Sequence, residues 1–417
     1  MLALTFPGQG SQRSGMGRPW VDHPSWEVVA EASDYADRDL AHLLLDAPME
    51  ELTPTANAQL STFVLSLVVL DAVERVGLAP GACAGHSLGE YTALVAAGAL
   101  SFADGTRLVL ERGEAMAVAA EREAGTMAAL LGIADADAAE ACRRAGDGVW
   151  VANYNARGQV VLSGTPAGVE AAGVEAKSLG ARKVMPLPVS GAFHTPLMAP
   201  ASERLAAAIG TVTFQPPEVP VVANVDAEVH ADGASWPSIL TRQLCAPVLW
   251  HRTLERLGEL GATVVAELGP GGVLTGLMKR TLPDVRAVSV ATPGDLDTLM
   301  DAVAGPEVWN HRSPAHQGEH LYTSERVIVS PGAGVFDPDV ALAPLEASAL
   351  AEATGSPSPG GSASGSVLSV GDRVGGVGAV DVRTPFEGVL VRWLAVRGER
   401  VAEGQPVAWI RTAERVR

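Results

Sequence analysis

A serine set between two glycines, in Gly85-His86-Ser87-Leu88-Gly89-Glu90, has the spacing of a nucleophile elbow, the sharp strand-to-helix turn that presents a hydroxyl for attack on a carbonyl carbon. Gly81-Ala82-Cys83-Ala84 before it reads as a short buried strand, and Tyr91 to Ala97 after it reads as a helix. Gly85 and Gly89 omit side chains for which so tight a turn has no room. Ser87 then lies at a helix N-terminus, where developing negative charge is favoured. The pattern alone leaves two readings open, because in a chain with 45 glycines Gly-x-Ser-x-Gly also arises as an ordinary turn.

A serine hydroxyl is a poor nucleophile near neutral pH and needs a base within hydrogen-bond reach. His194, in Gly191-Ala192-Phe193-His194-Thr195-Pro196 after a strand expected over Val184 to Val189, is the candidate. A loop histidine bonded only to its own neighbours is the alternative. Acyl transfer also turns a carbonyl oxygen into an oxyanion, which backbone amides can hold; the amide of Leu88, next after the nucleophile, is one such donor. Near the N-terminus, Leu4-Thr5-Phe6-Pro7-Gly8-Gln9-Gly10-Ser11-Gln12 runs from a strand into a turn able to aim amides inward. By itself it is equally a plain tight turn, and it lacks the Lys-Ser/Thr ending of a phosphate loop.

These groups need a scaffold to converge. Residues 1 to about 300 alternate short apolar runs with Ala/Leu/Glu-rich helical segments, the pattern of an α/β fold with a largely parallel sheet. One stretch interrupts it: runs at 126–131, 149–152, 159–163 and 181–187, with helical segments near 134–145 and 167–179, spell β-α-β-β-α-β, a ferredoxin-like insert. The expected division is therefore an α/β-hydrolase-like core over 1–124 and 190–303, the insert over 125–189, a linker over 304–324 and a small all-β module over 325–417. Within that module, 351–366 is an Ala/Gly/Ser/Pro tract expected to be disordered. Around the tract, Ser330 to Val335 with Val370 to Val374 is echoed by Thr384 to Val389 with Val396 to Val401, implying two related β-halves.

Composition narrows the function classes. The net charge of −18 over 417 residues disfavours general affinity for nucleic acid or anionic membrane. No uninterrupted apolar run of about 18 residues and no export signal stands out, so a cytoplasmic, monomeric protein is expected. Cys83, Cys142 and Cys245 are too scattered for a disulfide framework or a metal site.

Phe6-Pro7-Gly8-Gln9-Gly10-Ser11-Gln12, Gly85-His86-Ser87-Leu88-Gly89-Glu90, Gly191-Ala192-Phe193-His194 and Glu267-Leu268-Gly269-Pro270-Gly271 occur in order and at family spacing. On these motifs residues 1 to 303 resemble the bacterial malonyl-CoA:acyl-carrier-protein transacylases and the acyltransferase domains of polyketide synthases. The resemblance implies a ping-pong exchange between malonyl-CoA and the phosphopantetheine thiol of an acyl carrier protein, through an acyl-Ser87 ester, with no cofactor and no metal. It also implies that His194 moves the proton, that the backbone carbonyl of Gln243 orients it, and that the amides of Gln9 and Leu88 form the oxyanion hole. Arg112 would bind the malonyl carboxylate, since a buried carboxylate asks for a bidentate guanidinium. Phe193 matches the bulky residue of malonyl-selecting relatives. Gln59, Met116 and Asn155 are further lining candidates, although Ala58-Gln59-Leu60 departs from the usual Thr-Gln-Pro.

Two other classes compete. A serine thioesterase would use the same elbow and base but would have no reason for the Arg112 clamp, and a non-catalytic docking protein would not need Ser87 and His194. Carrier proteins are generally acidic, which makes Arg182, Lys183, Lys279 and Arg280 the docking candidates. Residues from about 325 onward resemble a biotinyl/lipoyl-type barrel-sandwich module, yet no lysine follows Lys279 to bear a prosthetic group.

Overall fold

The first strand, β1 (Leu2–Phe6), is buried on both faces, as the centre of a parallel sheet demands. The computed structural model describes residues 1–189, 191–308, 321–342, 366–386 and 388–415. Residues 1–72 and 79–303 form one compact unit and 304–417 belong to a second.

In the first unit, three short helices, α1 (Glu27–Ala36), α2 (Leu40–Leu45) and α3 (Met49–Leu52), lead into α4 (Thr55–Arg75). Helix α4 is long and apolar enough to cross a membrane, a feature that scanning for an uninterrupted apolar run does not register. Since 83% of its most apolar window is buried inside the fold, it serves as a core helix. Next come β2 (Ala82–Gly85), α5 (Gly89–Ala96) and α6 (Phe102–Arg122). After the insert follow α9 (Ala199–Ile209), β7 (Val221–Val222), α10 (Trp236–Gln243), α11 (Trp250–Glu259), β8 (Val264–Leu268), α12 (Val273–Thr281), β9 (Arg286–Val290) and α13 (Asp295–Val308). The sheet runs β7-β2-β1-β8-β9 with every pair parallel. One face is packed by Trp250, Leu254 and Leu257 of α11 and Leu274, Leu277 and Met278 of α12, against Ala3, Ala82, Ala84, Val222 and Val265.

Register decides where the chemistry sits. Phe6 lies beside Gly85, so the carboxyl ends of β1 and β2 finish together and the loops that leave them meet. Open α/β sheets bind ligands at such strand ends. The small residues of β2 let α5 approach closely: a Cβ on Gly89 would stand 2.0 Å from the Phe6 carbonyl oxygen, and one on Gly85 would strike the Gly89 carbonyl. Both elbow glycines are therefore dictated by backbone contact rather than by flexibility.

The insert holds β3 (Thr126–Leu131), α7 (Asp135–Ala145), β4 (Val149–Ala156), β5 (Gln159–Gly164), α8 (Pro166–Ser178) and β6 (Lys183–Pro186). Its sheet is ordered β4-β5-β3-β6 and antiparallel throughout. Leu130, Val160 and Leu162 pack under Ala138, Ala141, Ala172 and Ala176. The strand expected over Val184 to Val189 ends at Pro186, because Pro186 and Pro188 have no N–H to give the ladder. His194 therefore sits in a turn eight residues beyond the strand, not at its end.

The second unit builds two four-stranded sheets, β10-β17-β15-β12 and β14-β13-β11-β16, from β10 (Leu321–Val329), β11 (Gly334–Pro338), β12 (Val367–Leu368), β13 (Arg373–Val377), β14 (Val380–Arg383), β15 (Gly388–Trp393), β16 (Arg400–Val401) and β17 (Pro406–Arg415). All their pairings are antiparallel. Ile328, Phe336, Val374, Val382, Leu390 and Ile410 fill the space between them. The sequence echo has a geometric counterpart. Ser330 bonds the backbone at Gly404 and Gln405 while its hydroxyl reaches Gly332; Thr384 does the same with Gly371, Asp372 and Phe386. The expected linker is shorter at both ends, since α13 runs to Val308 and β10 starts at Leu321. Residues 309–320 and the tract expected to be disordered, up to residue 365, lie outside the described residues.

Candidate active site

Ser87 has φ +53° and His194 φ +61°, both in the left-handed region where non-glycine residues are uncommon. Such a conformation costs on the order of 1–3 kcal/mol and persists only where the surroundings over-determine it. At the elbow the restraint is Asn224, just after β7. Its Oδ1 accepts from the Ser87 amide at 2.7 Å and its Nδ2 donates to the Gly85 carbonyl at 2.7 Å, clamping the turn from both ends.

Ser87 Oγ lies 2.7 Å from His194 Nε2, and His194 Nδ1 lies 3.0 Å from the backbone oxygen of Gln243. A carbonyl can only accept, so Nδ1 carries the proton and Nε2 is left as the acceptor for the serine hydroxyl. Burial, reinforced by the Arg112 charge, pushes the imidazole down to about 3. It is thus neutral, a base ready to take a proton, throughout the neutral range.

Arg112 is buried, with 1% of its surface exposed, on the stripe of α6 that also carries Leu108, Val109, Ala115, Met116 and Ala119. Nη1 donates to Gln59 Oε1 at 2.5 Å, and Nη2 donates to Ser87 Oγ at 3.1 Å and to Gln243 Oε1 at 3.0 Å. The guanidinium lies over the Tyr91 ring at 5.5 Å. Among the described residues no carboxylate touches it, and its Nε has no partner. A buried cation held only by neutral acceptors is expensive unless an anion arrives to pair with it.

The remaining candidates differ in how they reach the site. Gln59, on α4, also donates to Met116 Sδ at 3.2 Å, so both belong to the wall behind Arg112. Phe193 is buried beside His194, and Gly191 makes room for its ring, since a Cβ there would stand 2.3 Å from Phe193 Cε1. The loops that carry Gln9 and Leu88 leave neighbouring strand ends, and Gly8 packs on the His86 carbonyl oxygen. Among the described residues neither the Gln9 nor the Leu88 backbone N–H donates to another group, while the Gln9 side chain donates to Thr55 Oγ1 at 3.3 Å. Asn155 reaches the site indirectly: its Oδ1 lies 2.9 Å from His86 Nε2, and among the described residues no hydrogen bond joins it to Ser87 or His194.

Two residues escape local sequence reading. Asn224 is remote in the chain and comes to the elbow only through the pairing of Ala84 with Val222. Glu90 ends the elbow motif, yet nothing local gives it a role. It is fully buried, takes a bond of 2.6 Å from Gln243 Nε2 on one oxygen and one of 2.6 Å from the Asn224 amide on the other, and burial raises it to about 7.

With this geometry in place, residues 4–294 match the family model described as an acyl transferase domain. The malonyl CoA-acyl carrier protein transacylase of Escherichia coli K12 is 41% identical over 309 residues, 72% of this chain and 99% of that protein. A crystal structure of an acyl-carrier-protein S-malonyltransferase from Burkholderia pseudomallei superposes with a TM-score of 0.70 at 40% identity, covering 72% of this chain and 99% of that one. A type II PKS acyl-carrier protein in complex with its malonyl-transacylase gives a TM-score of 0.69 at 38% identity, over 71% of this chain and 98% of that one.

Proposed function

Because the chain belongs to the acyl transferase domain family, we propose that it carries a malonyl group from malonyl-CoA to the phosphopantetheine thiol of an acyl carrier protein. The observation that carries the reading is Arg112, buried without a carboxylate partner and bonded to the nucleophile itself. A hydrolase of neutral esters has no use for that charge.

In the first half-reaction Ser87 Oγ attacks the thioester carbonyl as its proton passes to His194 Nε2. Negative charge develops on the carbonyl oxygen, facing the amides of Gln9 and Leu88. The C–S bond then breaks, and His194 returns the proton to the departing CoA thiolate. In the second half-reaction the carrier's thiol gives its proton to His194 and attacks the Ser87 ester, and the same steps run in reverse. A thioester is exchanged for a thioester, so no energy source is needed. Arg112 turns from Ser87 Oγ to the malonyl carboxylate, and the loss of that bond is offset by a charge-assisted pair. Phe193 takes the room an α-methyl group would need, which discriminates by about 1–3 kcal/mol.

Two finer readings accompany this one. The antiparallel order of the insert supports a ferredoxin-like subdomain. For carrier docking, Arg182 lies over Gly132, Gly132 bonds Gly158, and the neighbouring Gln159 accepts from Arg280, so Arg182 and Arg280 flank one hairpin of the insert, with Lys183 and Lys279 exposed next to them in the chain. Such a patch on an acidic protein suits an acidic partner. The second unit is read as a carrier-like fold without carriage; its β13–β14 hairpin turns at Gly378-Ala379, with no lysine.

The test is mass spectrometry of the intact protein after exposure to a mixture of acyl-CoAs. A malonyl adduct on Ser87 that is discharged by a carrier protein supports the reading. An adduct lost to water as fast as it forms, or a preference for uncharged acyl groups, overturns it.

A further inference from the structure

Gln243 stands at the centre of the site's polar contacts. Its backbone oxygen receives His194, its side-chain oxygen receives Arg112, and its Nε2 donates to the Ser87 carbonyl at 2.8 Å and to Glu90 at 2.6 Å. A glutamine amide can turn end for end, exchanging a donor for an acceptor at almost no change in shape. Arg112 can only donate and the Ser87 carbonyl can only accept, so both ask for the same orientation, and the group on the remaining side must agree with them or undo it. In its ionised form, which prevails above its value of about 7, Glu90 accepts and cannot donate, so it admits only the NH2 end of Gln243 and reinforces the turn of the oxygen toward the guanidinium.

We infer that Glu90 is a positioning residue for acyl groups bearing a carboxylate: it locks the Gln243 amide in the orientation that aims Arg112 at the acyl group on Ser87. Its second oxygen holds the Asn224 amide, and the Asn224 side chain clamps the elbow, so one buried group serves both arms of the site. Glu90 lies one bridging amide from a buried Arg112 that touches no carboxylate among the described residues, and that charge in turn opposes the effect of burial on Glu90.

The inference rests on the transfer reading above. Glu90→Gln keeps the shape but leaves one oxygen to serve two donors. The Asn224 N–H is fixed in the backbone and takes that oxygen, so the new NH2 confronts Gln243, which must turn or withdraw and leave Arg112 without its acceptor. The experiment measures rates of Ser87 acylation by malonyl-CoA and by acetyl-CoA in the full chain, by intact mass. The expected result is a malonyl-to-acetyl rate ratio lowered by at least about fivefold, mainly through a raised KM for malonyl-CoA, with acetyl loading largely kept. A smaller change in the ratio overturns the inference. Should Glu90→Gln fail to fold, as shown by lost acetyl loading and lost circular dichroism, Glu90→Asp decides in its place. It keeps the charge but draws the carboxylate back from Gln243 by one methylene, and the same fivefold criterion applies. If the unaltered protein takes malonyl on no serine, the transfer reading falls first and this inference with it; a malonylated Ser87 with an unmoved ratio removes the inference alone.

Discussion

Both units pair arginines with carboxylates at the surface, as Arg143 with Glu140 and Arg204 with Glu111 in the first, and one arginine of the first unit departs from that use. In the second, Arg373 pairs with Asp339 and Asp381, Arg383 with Asp381, and Arg397 with Asp337, all on partly exposed surface. In the first, Arg112 is sealed in the interior with hydroxyl and amide oxygens for company. Exposed pairs are screened by water and contribute little, so they are compatible with almost any role for the module that carries them. A buried cation that touches no anion is a standing cost, and it makes physical sense only where an incoming ligand supplies the missing charge. The contrast locates function by energetics, independently of any motif.

The most severe way to break the contrast is to remove what Arg112 is bonded to. Ser87→Ala leaves the pocket nearly intact and takes away the nucleophile, so no acyl adduct should form on incubation with malonyl-CoA; a persisting adduct would move the nucleophile elsewhere. Next in size is Arg112→Ala. Losing a desolvated charge partner costs about 2–5 kcal/mol, so malonyl loading should drop by roughly thirtyfold to several thousandfold while acetyl loading changes far less. Equal losses would remove carboxylate recognition from Arg112.

The third effect is in pH. A base works only when unprotonated, so its contribution disappears as pH falls through its own pKa. With His194 held near 3, kcat/KM for acetyl-CoA should run flat through the region of 6.5 where an ordinary histidine titrates. An acid limb centred near 6.5 would show that the imidazole is not so deeply desolvated in solution. The smallest effect belongs to the second unit. Asp381→Ala breaks the pairs with Arg373 and Arg383, and thermal unfolding with malonyl loading should show neither property moving outside error.

What could be read along the chain divides by locality. Ser87, Leu88 and the two glycines lie in one six-residue segment, and the tight turn explains every one of them. The contacts of His194 with Ser87 and with the Gln243 carbonyl span 107 and 49 residues, and their expected pairing came from the order of motifs and not from any periodicity. Arg112 carries a signal that composition conceals: it falls on the apolar stripe of α6, where an unpaired charge is out of place. Asn224 has no such mark, because only sheet register brings it under the elbow. Prolines shorten β6, and the helix and strand that bound the expected linker extend into it. Ends of elements are set by which N–H groups remain to be bonded, a property that hydrophobic patterning does not report.

The backbone at position 87 also restricts which nucleophiles this scaffold could ever adopt. With φ at +53°, a side chain branched at Cβ crowds the chain around it, so threonine is shut out although its hydroxyl would serve chemically. Cysteine, unbranched and of similar size, is admitted. Long before substrate enters, the shape of one turn has limited the evolutionary alphabet at the attacking position to primary alcohols and thiols.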